Sequence, residues 1–131
     1  MNEVYPKRVK LTVQKSTTKC TVTAITVEEN TVDAIKEATI ELLTELIKQN
    51  DIKKEDISHA IFTLTKDLDK VFPARFARID LGWNEVAMMC FNEADIEGSL
   101  EKCLRILIVL NRQEDFEPKF VYLKGASNLR K

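Results

Sequence analysis

The sequence predicts an α+β domain in which a mixed sheet of five to six strands packs on one long helix. Three observations carry that prediction. Residues 9–25 alternate apolar and polar side chains with a period of two, the pattern of half-buried strands. Residues 32–49 switch to three- and four-residue spacing, the pattern of an amphipathic helix. Segments 57–65, 86–91 and 103–111 are then short and rich in apolar residues, of strand rather than helix length.

In chain order, Val9, Leu11 and Val13 share one face of a first strand, with Lys10 and Thr12 opposite. A threonine-rich alternation follows, with Cys20, Val22 and Ala24 on one side and Thr21, Thr23 and Ile25 on the other. Val32, Ile35, Thr39, Leu42, Leu43, Leu46 and Ile47 line the apolar stripe of the helix. Asn30 or Thr31 is its N-cap, Asp33 suits the positive end of the helix dipole, and Asn50 is a stop. Ile57–Thr65 reads as a strand with His59 on the side of Ile57 and Ile61; lacking an acid partner in the pattern, His59 is structural. Phe72-Pro73 sets up a short helical turn with proline near its first position. Val86–Phe91 reads as a buried strand. Residues 99–111 are ambiguous by period, and the unbroken run Ile106–Leu110, with its β-branched residues, decides for a strand over 103–111. Val121–Leu123 is a last short strand and 124–131 a tail. With no repeat and no linker, residues 1–131 form a single domain, of which 1–19 are a basic N-terminal extension.

One helix covers only one face of such a sheet, yet the segments 86–91 and 103–110 read apolar on both. Another copy of the chain is the cheapest cover, so an oligomer is expected.

A chain of 131 residues has room for one core. Its 20 Lys+Arg against 21 Asp+Glu give a net charge of −1, which does not suit wholesale nucleic-acid binding. The bases Lys7, Arg8, Lys10, Lys15 and Lys19 cluster near the start, where they read as a strand edge defended by lysine rather than as an anion site. The longest apolar run, Val86–Phe91, is far short of the roughly 20 residues of a membrane helix. No leader pattern opens the sequence, so neither secretion nor membrane insertion is expected. Cys20, Cys90 and Cys103 are scattered and odd in number, which suits reduced thiols in a cytoplasm. Gly82, Gly98 and Gly125 are too far apart for a dinucleotide fingerprint or a P-loop. A single histidine, no C-x-x-C pair and no G-x-S-x-G elbow leave no familiar metal or triad signature, so chemistry without metal or cofactor is expected.

The arginines are the informative residues. Arg75 and Arg78 flank a turn, Arg130 closes the tail, and Arg105 interrupts the apolar CLRILIVL. A guanidinium inside a buried strand is costly unless an anion pairs with it, and Glu93, just after the strand that ends at Phe91, is the natural partner. By composition alone this is a structural ion pair or part of an anion site.

The run FPARFARIDLGWNEVAMMCFNEADIEGSLEKCLRILI, preceded by DLDKV, resembles the monofunctional, trimeric α/β class of bacterial chorismate mutase. The matching features are F-P-A-[KR]-x-x-R, then G-W, then a strand ending near a cysteine with glutamate three residues on, then G-x-L-x-x-C-[IL]-R. TVEENT, VYL and NLR extend the match over about residues 23–130. The resemblance implies a trimeric pseudo-barrel with sites between subunits, and a pericyclic rearrangement of chorismate to prephenate without a cofactor. It implies that Arg105 stabilises charge on the breaking ether oxygen and grips a carboxylate, and that Glu93 and Cys90 orient the ring hydroxyl. Tyr122 would contact a carboxylate, while Phe72, Ala74 and Met88 shape an apolar wall. Met89 falls where the family has threonine, its backbone still able to serve. Arg75, Arg78 and Arg130 would form an electropositive entrance, with Leu129 in the closing tail. The family also carries an arginine on its first strand, in a pattern like R-G-[AI]-T-T; aligned through TVEENT, that position is Val22. Lys19, three residues earlier, belongs to the other face of a strand. Three functions compete on the sequence: a chorismate mutase weakened at Val22, a non-catalytic trimer that binds a small carboxylate, and an imine deaminase on a similar fold.

Overall fold

The computed structural model describes residues 16–130. The strand expected at Val9–Val13 lies outside the described residues. Within them, five strands form one mixed sheet: β1 (Thr17–Thr26), β2 (Ile57–Leu64), β3 (Ala87–Asn92), β4 (Cys103–Arg112) and β5 (Val121–Leu123). Their order across the sheet is β3-β2-β4-β1-β5, with β4 antiparallel to both neighbours and the outer pairs β2/β3 and β1/β5 parallel.

The long helix α1 (Val32–Asn50) packs on one face. Thr31 is its N-cap, the hydroxyl accepting from the Ala34 amide at 3.1 Å, and Asp33 lies in the first turn. Asn50 remains helical, and the left-handed residue that ends the helix is Asp51 (φ 48°). The Asn50 side chain donates to the Leu46 and Lys119 carbonyls and accepts from the Lys119 amide at 2.7 Å, pinning the strand that follows. Ile35, Leu42, Leu43 and Leu46 of α1 meet Ile25, Ala60, Phe62, Ile106 and Ile108 in the main core. We expect Thr31→Ala to remove about 1 kcal/mol of stability, seen as a fall of a few degrees in Tm with no loss of function.

Several expectations need correction. The described residues hold two α-helices, not one: the turn expected at Phe72-Pro73 runs on as α2 (Ala74–Leu81), ending at Gly82 with φ 72°. Ala77 and Phe76 bury its inner face, and Gly82 stops it in a left-handed conformation that would strain a residue with a side chain. The strand expected to be buried at 86–91 is instead the exposed sheet edge, with Met89 61% and Phe91 46% accessible. His59 shares a face with Ile61 but not with Ile57, because a bulge between Ile57 and His59 shifts the register by one residue.

On β1 the threonine face is the buried one. The hydroxyls of Thr21 and Thr23 donate to the Lys119 and Val121 carbonyls at 2.6 and 2.5 Å, so burial costs them no lost hydrogen bond. The residues after β5 do not trail off: Lys124–Asn128 form a short 3₁₀ turn, Ala126 is fully buried, and the Gly125 amide donates to Thr26 Oγ1 at 2.8 Å. A β-carbon at residue 125 would come within 2.8 Å of Thr26, so only glycine allows that approach.

Candidate active site

Among the described residues the other face of the sheet carries no α-helix; only the 3₁₀ turn after β5 packs over its β5/β1 end, and the side chains of this face fall into rows. Tyr122, Ala24, Arg105, Thr63 and Phe91 stand side by side across β5, β1, β4, β2 and β3. The next row is apolar: Val22, Leu107, Ile61 and Met89. The third is Cys20, Val109, His59 and Ala87.

Arg105 therefore does not lie buried among the apolar residues that flank it. Alternation sends Leu104 and Ile106 into the core and Arg105 to the open face, where its side chain is 43% accessible. Its Nη1 lies 3.5 Å from Glu93 Oε1, a loose ion pair that leaves most of the guanidinium fork uncommitted. Glu93 extends the β2/β3 pairing by one residue, its amide donating to the Leu64 carbonyl at 2.8 Å, and its Oε1 accepts from Thr63 Oγ1.

A clamp fixes where β4 begins. The Asp67 carboxylate accepts twice from the Lys102 amide, at 2.9 and 3.0 Å, holding Lys102 in a left-handed conformation (φ 45°). Thr65 exchanges hydrogen bonds with Cys103 through both its amide and its hydroxyl, and the Lys102 carbonyl accepts from the Val27 amide at 2.7 Å. The ends of β1, β2 and β4 are thus tied together two residues before Arg105. The pattern Thr65-Lys66-Asp67 carries a turn signal, but nothing local reveals that its partner is residue 102.

The expected site residues separate into two groups. Phe72, Ala74, Arg75, Arg78, Met88 and Cys90 line one cleft of about 660 Å³ between α2 and β3. Phe72 stands 72% accessible at its mouth. Burial pushes the Cys90 thiol pKa up, partly offset by a hydrogen bond from the Ala74 backbone, so Cys90 is a neutral thiol. The second group is Glu93, Arg105 and Leu129, which share a small cavity of about 90 Å³. Tyr122 packs beside them with Ala24, Cys103, Ala126, Leu100 and Leu129. Its buried hydroxyl has no hydrogen-bond partner among the described residues. The Cys103 thiol is pushed up to about 11 by burial and is no nucleophile at neutral pH.

Met89 joins neither group; it projects from the open face, one residue out of phase with Met88 and Cys90. Arg130 stacks on the Phe120 ring, 4.7 Å from its centroid, and lines neither cavity. Val22 does face the same side as Arg105, one row along, whereas Lys19 points to the helix side. There Lys19 is held by Asp115 at 2.9 Å and the Phe116 carbonyl at 2.6 Å, which raises its pKa chiefly through the Asp115 hydrogen bond. Lys19 thus points away from the face that holds Arg105 and Val22. Thr63, Thr65 and Asp67 are the residues that sequence reasoning passed over.

A family model described as chorismate mutase type I matches residues 21–131. The chain belongs to the type I chorismate mutase family. Its similarity to the chorismate mutase AroH of Bacillus subtilis is 35% identity over 108 residues, 82% of this chain and 85% of that protein. With the chorismate mutase AroH of Thermus thermophilus it shares 39% over 109 residues, 82% of this chain and 88% of that protein. The solved structure of a chorismate mutase from Clostridium thermocellum superimposes with a TM-score of 0.77 at 44% identity, covering 82% of this chain and 96% of that one. The mixed sheet flanked by two helices is therefore the fold of this mutase family, and no helix among the described residues is long and apolar enough to cross a membrane.

Proposed function

We propose that this chain converts chorismate to prephenate, an intramolecular isomerisation in aromatic amino-acid biosynthesis, as a cytoplasmic homotrimer with sites shared between neighbouring copies. The observation that carries the reading is Arg105: a guanidinium fixed on a rigid central strand and only loosely engaged by Glu93. In the rearrangement the ether C–O bond breaks ahead of C–C bond formation, so negative charge grows on the ether oxygen. A cation preorganised beside that oxygen binds the transition state more tightly than the substrate. No proton transfer or covalent intermediate is required, which suits a site whose thiols are neutral.

The sharing of sites follows from the faces. Met88 and Cys90 turn towards α2, while Arg105 and Tyr122 occupy the open face of the same sheet. One small dianion does not reach both groups in a single copy. A neighbouring copy that brings its α2/β3 cleft over this chain's Arg105 completes the site, with Arg75 and Arg78 at the entrance, Phe72, Ala74 and Met88 holding the compact conformer, and Cys90 and Glu93 on the ring hydroxyl. The Arg105 fork then meets a substrate carboxylate, and Tyr122, packed beside it under Leu129, is the candidate for the second once its buried hydroxyl is uncovered. Leu129 and Arg130 close the tail over it, and the Met89 backbone borders the pocket.

The test is loss of chorismate ultraviolet absorbance in the presence of the full chain; no turnover at millimolar chorismate overturns the reading. A related expectation concerns Val22, which places an apolar side chain one row from Arg105 where relatives are expected to hold an arginine. Val22→Arg restores a charge-assisted contact and is expected to lower KM about tenfold, with a smaller change in kcat, in steady-state assays. An unchanged KM means that another base already fills that role.

A further inference from the structure

We infer that Thr63 is a positioning residue for the reaction: its hydroxyl fixes the Glu93 carboxylate and so leaves the Arg105 guanidinium available to the substrate. The inference rests on the proposed function above.

Thr63 lies on β2, between β3 and β4, and faces the open side directly beside Arg105 and Phe91. Its Oγ1 donates to Glu93 Oε1. Arg105 Nη1 approaches the same oxygen, but only to 3.5 Å, from a side chain that is 43% accessible. The close contact is therefore the hydroxyl and the distant one the guanidinium. Both fall on Oε1, so Oε2 is the oxygen presented to a ligand.

The backbone supports the same assignment. The Glu93 amide is held by the carbonyl of Leu64, the residue after Thr63. A glutamate anchored at its amide and at one carboxylate oxygen loses most of its side-chain freedom before substrate arrives, and that entropy is then not lost during the reaction. Without the hydroxyl, the nearest donor for Oε1 is Arg105, and a tighter Arg105–Glu93 pair would commit the cation needed at the ether oxygen.

Other strand threonines show what a purely structural role looks like. Thr21 and Thr23 give their hydroxyls to backbone carbonyls that tie down the segment entering β5. Thr63 gives its hydroxyl to a site carboxylate instead. A valine would fill the same volume and suit the strand at least as well, so the hydroxyl is explained by what it holds.

The experiment compares Thr63→Val, Thr63→Ser and both substitutions in a Glu93→Ala background, using the full chain. Thr63→Val is expected to lower kcat/KM about tenfold to a hundredfold, the range for one hydrogen bond to a charged group, while Tm stays within about 3 °C of wild type. Thr63→Ser is expected to recover most of the loss. In Glu93→Ala, adding Thr63→Val is expected to change kcat/KM by less than about twofold, because the partner it acts through is gone. Thr63→Ala replaces the valine variant should that one fail to fold. Full kcat/KM in Thr63→Val, no recovery by serine, or an undiminished loss in the Glu93→Ala background would each overturn the inference. If wild type shows no turnover, the proposed reaction is what fails, and Thr63 is then judged by the same comparisons in calorimetric binding of chorismate.

Discussion

Arg105→Lys should lower kcat by at least about a hundredfold while leaving the fold intact. Loss of one preorganised donor at a developing oxyanion typically costs about 10²–10³ in rate, and lysine loses more than one. It retains the charge but not the planar fork that reaches an ether oxygen and a carboxylate together. The fold should tolerate the change because the structural work of Arg105 is small. Its contact with Glu93 is 3.5 Å long, with the arginine side chain 43% accessible, and is worth about 1 kcal/mol. The buried residues of β4 are its neighbours Leu104 and Ile106, not Arg105 itself. Steady-state kinetics beside a thermal melt separate the two effects. On the proposed mechanism, in which the charge is used chiefly in the transition state, an uncharged isostere such as citrulline should reduce kcat far more than KM. Near-normal kcat in Arg105→Lys would make Arg105 a structural ion-pair partner and remove the mechanism.

How far such a site can be read from sequence depends on whether its determinants are local. The stripe from Ile35 to Leu46 fixes α1 because helical period and amphipathicity are properties of one segment, and Thr31 caps it for the same reason. Alternation likewise puts Thr21 and Val22 on opposite faces of β1, but it does not say which face meets the helix. That depends on Lys119 and Val121, about a hundred positions away, whose carbonyls receive the threonine hydroxyls. The apolar run at 86–91 suggests burial, yet strand order puts β3 at the edge, and order is set by pairing between distant segments. Arg105 stands out because a charge in an apolar stretch is conspicuous, and Glu93 follows as the acid nearest the neighbouring strand end. Thr63 does not, since threonine is common in strands and its acceptor lies thirty positions away.

The open face makes a second large effect testable without touching the chemistry. Val22, Leu107, Val109, Ile61 and Met89 form an apolar surface on the side of the sheet that no α-helix among the described residues covers, and Met89 is 61% accessible there. Val109 pairs with Cys20 and His59 and stands four residues along β4 from Arg105, a separation of about 13 Å at strand rise. Val109→Asp places a carboxylate in that surface while α1 and the core behind it stay packed. If neighbouring copies bury this face, each would have to desolvate an unpaired charge, a cost of several kcal/mol per copy that opposes association. The expected result is a monomer in sedimentation velocity at micromolar concentration, with helix and strand content unchanged by circular dichroism. Turnover should fall at least about a hundredfold, the scale of losing alignment between the two halves of a site, because the α2/β3 cleft of one copy no longer covers Arg105 of another. A monomeric Val109→Asp that keeps full activity would show that one chain holds a complete site, and a wild-type chain already monomeric at that concentration would sink the shared-site proposal at once.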